Sequence, residues 1–135
     1  MQRLLVAAIV RLVSPEADVL AANDAFYDAF ARRDPGAMDV LWSRTRPVAC
    51  IHPGWNVLRT REEIIASWDA IIANPNQPRV VSGGAEALVF GDTAVVICRE
   101  FVGGAPLVAT NVFVNEGGRW RMVHHQSGPV AELPS

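Results

Sequence analysis

The chain has 135 residues, half of them hydrophobic, enough for one domain with a substantial core. A formal charge of −2, a pI near 5.9 and the lack of any basic run exclude nucleic acid and anionic membrane as expected partners. Cys50 and Cys98 sit in apolar runs and are too few to staple a domain of this size. They read as buried free thiols, which fits a cytoplasmic protein.

The opening stretch, MQRLLVAAIVRLV, has only a weak signal-peptide character. Its apolar run is short, Arg11 interrupts it, and no A-x-A cleavage pattern follows. No apolar run reaches the length needed to span a bilayer. Residues 1–14 therefore read as an N-terminal extension of a single domain covering 1–135.

Ser14-Pro15-Glu16 is a helix start: a serine cap, proline at the first helical position and an acid in the first turn. Val19, Leu20, Asn23, Phe26, Tyr27 and Phe30 then recur at helical spacing down to Arg33. Asp34-Pro35-Gly36 ends that helix and starts a short second one, with Met38, Leu41 and Trp42 on its buried side. Residues 46–52 read as a strand with Val48, Cys50 and His52 on one face, stopped by Pro53-Gly54. Thr60 and Glu63 form a capping box for a third helix, whose stripe is Ile64, Ile65, Trp68, Ile71 and Ile72. After Pro78 the period changes to two. Strands are expected over 79–90 and 93–102, with Gly83-Gly84 marking a bulge or bend in the first.

The stretch VATNVFVNEGGRWRMVHHQSGP is a β-hairpin, with Gly117-Gly118 as its tight turn. A two-residue turn places Phe113 opposite Met122 and Asn111 opposite His124 on one face. Strict alternation then points Trp120, Met122 and His124 inward, and His125 outward. The order α-α-β-α-β-β-β-β makes an α+β domain, three helices packed on a curved, mainly antiparallel sheet that leaves a cone with an open end.

That order, with NDAFYDAFARRD, CIHPGW and GGRWRMVHHQSGP, resembles the nuclear transport factor 2-like superfamily and its SnoaL-like branch, from about Val19 to Pro129. The superfamily holds ketosteroid isomerases, polyketide cyclases, dehydratases, epoxide hydrolases and non-catalytic association domains, so the fold alone names no reaction. The resemblance puts His52 where the steroid isomerases keep their aspartate base. It puts Phe26, with Tyr27 one residue off, at their oxyanion tyrosine, and Thr110 beside Asn111 at their second acid. All three positions differ, and steroid isomerase chemistry of that type is not expected.

The candidate catalytic residues are therefore His52, a general base, and His124, its inward-facing support. Tyr27, Trp42, Trp55, Trp68, Asn111, Phe113 and Trp120 are the candidate pocket residues, Trp55 standing in a loop where it can line the mouth. Arg99 and Glu100 point to opposite faces of one strand, so each needs its own partner, and a solvated face or edge is the commoner setting. No third metal ligand accompanies His52 and His124, and no phosphate loop or nucleophile elbow occurs, so no metal or cofactor is expected. The reading is a small-molecule pocket protein: a cofactor-independent lyase, isomerase or cyclase for a mainly apolar carbonyl or hydroxyl compound. The alternative is a non-enzymatic ligand-binding or association domain. A homodimer through the sheet is expected because Val108, Thr110, Val112 and Val114 make the face away from the helices apolar.

Overall fold

The computed structural model describes residues 14–131, so the expected N-terminal extension lies outside the described residues apart from Ser14. The elements are α1 (Pro15–Ala31), α2 (Pro35–Leu41), β1 (Ala49–Ile51), α3 (Arg61–Ala73), β2 (Val80–Phe90), β3 (Thr93–Val102), β4 (Ala105–Glu116) and β5 (Arg119–Pro129). This is the α+β cone expected from the order of elements, with three helices on a five-stranded sheet of order β1-β5-β4-β3-β2.

Each helix begins at its capping residue. The side chains of Ser14, Asp34 and Thr60 accept from the backbone N–H of Ala17, Ala37 and Glu63, satisfying donors that have no partner within the helix. The box at α3 differs from the sequence expectation in its second half. Glu63 reaches back to the N–H of Arg59, not Thr60.

The strand expected over 46–52 shortens to three residues. Pro47 has no N–H to offer a ladder, and only Ala49–Ile51 pair, in parallel, with His124–Gln126. On its other side Cys50 exchanges both backbone hydrogen bonds with Leu58, at 2.9 and 2.8 Å. All other neighbouring strands run antiparallel. The bend expected at Gly83-Gly84 is present: the β2–β3 register shifts between Gly83 and Glu86, and Gly84 has φ +63°. It curls the sheet around α1 and α3.

The core lies between the helices and the concave face of the sheet. Phe26, Met38, Trp42, Ile64, Phe113 and Met122 are all buried there. Trp42 is fully packed at the end of α2, where its backbone bridges Met122 of β5. Removing that indole leaves a void the rigid sheet cannot close.

The hairpin turn forms as expected, with Glu116 paired to Arg119, Phe113 to Met122, and Gly117 and Gly118 at φ +60° and +90°. A Cβ at Gly118 would touch nothing, so the cost of a side chain there is purely that of the left-handed backbone. Gly118→Val is expected to destabilise the domain by about 1 kcal/mol or more, read as a lower thermal midpoint. An unchanged midpoint would show that the turn tolerates a β-branched residue.

Beyond Phe113 the ladder departs from the regular alternation. Val112 pairs with His124 and Asn111 with His125, which leaves Val123 as an extra residue, a β-bulge. One inserted residue inverts every side chain that follows it. Trp120 and Met122 still face inward, but beyond the bulge His125 and Ser127 are the buried residues. His125 is therefore the inward histidine. His124 lies on the opposite face, half-buried.

Candidate functional site

The open end of the cone is a cavity of about 430 Å³ between α1, α3 and the sheet. Its walls include Phe26, Phe30 and Trp68 from the helices, His52 from the end of β1, Glu100 from β3 and His125 from β5.

His52 is 3% exposed and stands immediately before the Pro53-Gly54 turn, which its carbonyl closes by accepting from the N–H of Trp55. Its ring sits edge-to-face between Trp55 and Trp68, with centroids 4.8 and 4.7 Å away. Nε2 lies 2.9 Å from Ser67 Oγ, and the Ser67 hydroxyl donates to the carbonyl of Ile64 at 2.6 Å. A hydroxyl has one proton. With that proton given to Ile64, Ser67 can only accept from His52, so Nε2 carries the hydrogen and Nδ1 keeps the lone pair. Burial holds the ring's pKa down at about 4.

His125 is fixed the other way round. Its Nδ1 donates to Asn111 Oδ1 at 2.6 Å, and Nε2 keeps the lone pair. Asn111 uses its amide hydrogens on Asn23 Oδ1 at 2.8 Å and on the Tyr27 oxygen at 3.2 Å. Burial, and then the neighbouring imidazoles of His52 and His124, lower the His125 pKa to about 3. The His52 and His125 ring centroids are 6.3 Å apart. Two neutral imidazoles thus share one wall, each with a single uncommitted basic nitrogen.

Glu100 does not take the solvated face or edge expected as the commoner setting for such a charge. It is 4% exposed and lines the cavity. Tyr27 donates to its Oε2 at 2.6 Å, and Ser127 donates to its Oε1. Each oxygen thus accepts one hydrogen bond. Burial first, and then the Glu100 carboxylate, push the Tyr27 phenol above its ordinary range, so Tyr27 stays a donor. The signal was present in β3: Ala94, Val96, Cys98 and Glu100 form one alternating row, and the first three are buried. A charge that continues an inward row belongs to the interior.

The other sequence candidates divide into two groups. Tyr27, Trp55 and Trp68 line the cavity, Trp55 at the mouth with 47% of its surface exposed. Trp42, Phe113 and Trp120 are core residues away from the lining, because the inward row of the hairpin packs beneath α1 and α2 before it reaches the cavity. Asn111 is fully buried behind the wall and acts through His125 and Tyr27. Burial raises the pKa of the Cys50 thiol to about 12 and that of Cys98 as well, so neither is a ready nucleophile. Among the described residues no group of three or more His, Cys, Asp or Glu converges as a metal site does. No helix among them is long and apolar enough to cross a membrane.

The family model described as the SnoaL-like domain matches residues 19–132, nearly the whole chain. The chain belongs to the SnoaL-like family. This SnoaL-like domain is similar in structure to a protein from Streptomyces avermitilis, provisionally described as a dehydratase of the NTF2-like family. The two are 34% identical with a TM-score of 0.78, over 85% of this chain and 95% of the other. A Thiobacillus denitrificans protein, provisionally described as a calcium/calmodulin-dependent protein kinase type II association domain, is 32% identical with a TM-score of 0.73, over 82% and 94% of the two chains. A Parabacteroides distasonis protein, provisionally described as a ketosteroid isomerase, shares the fold at a TM-score of 0.70 but only 14% identity, over 87% and 89%. In sequence the domain is 30% identical to the F-box protein SKIP8 of Arabidopsis thaliana over 111 residues, 81% of this chain and 48% of that protein. The chain spans about half the length of that curated relative.

Proposed function

We propose that the domain binds a small, mainly apolar carbonyl or hydroxyl compound in the cone and acts on it without a cofactor, as a lyase, isomerase or cyclase. The observation that carries this reading is the pair of neutral imidazoles on one wall of an aromatic cavity. His52 is the general base: its Nδ1 takes a proton from the carbon next to a carbonyl, and Ser67 accepts from Nε2–H and steadies the imidazolium that forms. The proton then returns to another carbon, which is isomerisation, or leaves with a hydroxyl as water, which is dehydration. The likeness to a protein described as a dehydratase, at 34% identity, supports the lyase form. His125 stands beside His52 as the second polar group, in the place expected for His124.

The reading is tested by following the three imidazoles by NMR while a small-molecule library is screened. Ligands that fill the cone should shift His52 and His125 and leave His124 in place. Ligands that bind tightly yet move neither inward ring would remove both from the site.

A second reading, a non-enzymatic association domain, is favoured by the outer face of the sheet. Val81, Leu88, Phe90, Ile97, Phe101 and Val108 share that face and are each 38% to 63% exposed. An apolar surface of this kind is covered in solution by a partner, and we take that partner to be a second copy of the chain. Sedimentation at micromolar concentration is expected to give a dimer, and a monomer would count decisively against it. The two readings are compatible, since the dimer face and the cone lie on opposite sides of the sheet. Two buried free thiols support placing the protein in the cytoplasm.

A further inference from the structure

Glu100 has no cation within salt-bridge distance among the described residues, and no arginine lines the cavity. Lysine does not occur anywhere in the chain. A carboxylate 96% removed from solvent, held only by two hydroxyls, leaves a buried charge uncompensated. Natural structures keep such a charge where something is meant to meet it.

The remaining polar groups of the wall point the same way. His52 and His125 have each committed their ring hydrogen, to Ser67 and to Asn111, and offer only a lone pair. Tyr27 has committed its hydrogen to Glu100. Each Glu100 oxygen accepts one hydrogen bond and has room for another. The groups around Glu100 are therefore rich in acceptors, while the free donors of the lining are the side-chain amides of Asn74 and Gln77 and the indole N–H of the exposed Trp55. Around these groups stand the rings of Phe26, Tyr27, Phe30, Trp55 and Trp68, whose π faces attract positive charge.

We infer that the ligand of this cavity is an organic cation, a protonated primary or secondary amine on an apolar body, with its ammonium paired to Glu100 within the aromatic wall. The inference rests on the small-molecule reading given above and adds a protonated amine to the carbonyl or hydroxyl compound proposed there. The ammonium supplies the donors and the countercharge that the groups around Glu100 lack, and the apolar body fills the space between the rings. A carboxylate or phosphate ligand would meet a like charge and no cation.

The experiment uses three molecules with one skeleton: naphthylethylamine, protonated at neutral pH, naphthylethanol and naphthylacetate. Affinity is measured by calorimetry, and binding is located by the NMR signals of His52, His125 and the Trp68 indole. The amine is expected to bind at least about tenfold tighter than the alcohol, since hydrogen bonds to a charged group are worth roughly twice neutral ones. The acetate should be the weakest. In Glu100→Gln the preference of amine over alcohol should collapse toward one. Tyr27→Phe keeps the charge, removes one of its two donors and should widen the preference, which guards against a Glu100 variant that fails to fold. An alcohol that binds the wild-type cavity as well as the amine would overturn the inference and leave the small-molecule reading standing. A preference that survives Glu100→Gln in a folded protein would overturn it too. If none of the three shifts a cavity signal, the inference falls, and the wider screen then judges the pocket itself.

Discussion

Lowering the pH from 7 to 5 is expected to weaken the fold well before its carboxylates titrate. The sign follows from the folded and unfolded affinities for protons. In the unfolded chain His52 and His125 bind a proton near pH 6.5, whereas in the folded domain burial holds them at about 4 and about 3. Between those values the unfolded state carries more protons, so stability falls as pH falls. The contribution is fully present above pH 6.5 and is lost on the way down to the folded values. His124, also lowered by burial, acts in the same sense. The full contributions are roughly 3 kcal/mol for His52 and roughly 5 kcal/mol for His125, of which about 2 kcal/mol each is lost by pH 5, against a total of about 5–15 kcal/mol for a typical domain. Urea midpoints measured between pH 7 and pH 5 should therefore drop steeply. In His125→Gln, where an amide can still donate to Asn111, the slope should shrink by about one proton. Midpoints that stay level over that interval would mean that both rings charge freely in the folded state and that the cavity is wet around them.

The second large effect is on turnover. With any substrate from the screen, His52→Ala should lower kcat by roughly 10² to 10⁴ while the domain stays folded, the usual worth of a positioned general base. His125→Ala should reduce turnover or affinity, because it removes a wall of the cavity and leaves Asn111 Oδ1 without its donor. His124→Ala should spare both, since its ring lies across the sheet. The acid limb of the rate profile should fall below pH 5, following a base with a pKa of about 4, provided it is read within the range where the domain remains folded. Full activity in His52→Ala would move the base elsewhere, with His125 the next group to test. A limb near 6.5 would mean that substrate binding rehydrates His52 or brings it a negative partner.

Much of the fold was legible because its signals are local. Ser14, Asp34 and Thr60 each meet their helix within three residues, and Gly117-Gly118 specifies its turn by backbone freedom alone. The concave row of β3 repeats with period two, and the stripe of α1 repeats with the helical period. His52 was legible as well, as the polar end of an apolar strand at a Pro-Gly stop.

The extent of β1 was less so, because pairing rather than propensity ends it. Ala49–Ile51 count as strand only because β5 and Leu58 lie beside them. The core and cavity portions of the inward row could not be told apart either. Trp42, Phe113 and Trp120 are as apolar as Trp68, and only the depth at which α1 and α3 cross the sheet decides which of them sees the opening.

By itself the sequence determined the order of elements, the caps and turns, the inward rows and the presence of one histidine at the cone's wall. Tertiary structure alone decided which second imidazole joins it and where Glu100 goes. The first turns on Val123, one unpaired residue that inverts the faces of His124 and His125. No local pattern announces a bulge whose neighbours are all compatible with either face. The second turns on contacts 73 and 27 residues away, where Tyr27 and Ser127 meet the Glu100 carboxylate. A charge can be buried only when its donors arrive from elsewhere in the chain, and such an arrangement exists only once the sheet has closed on α1.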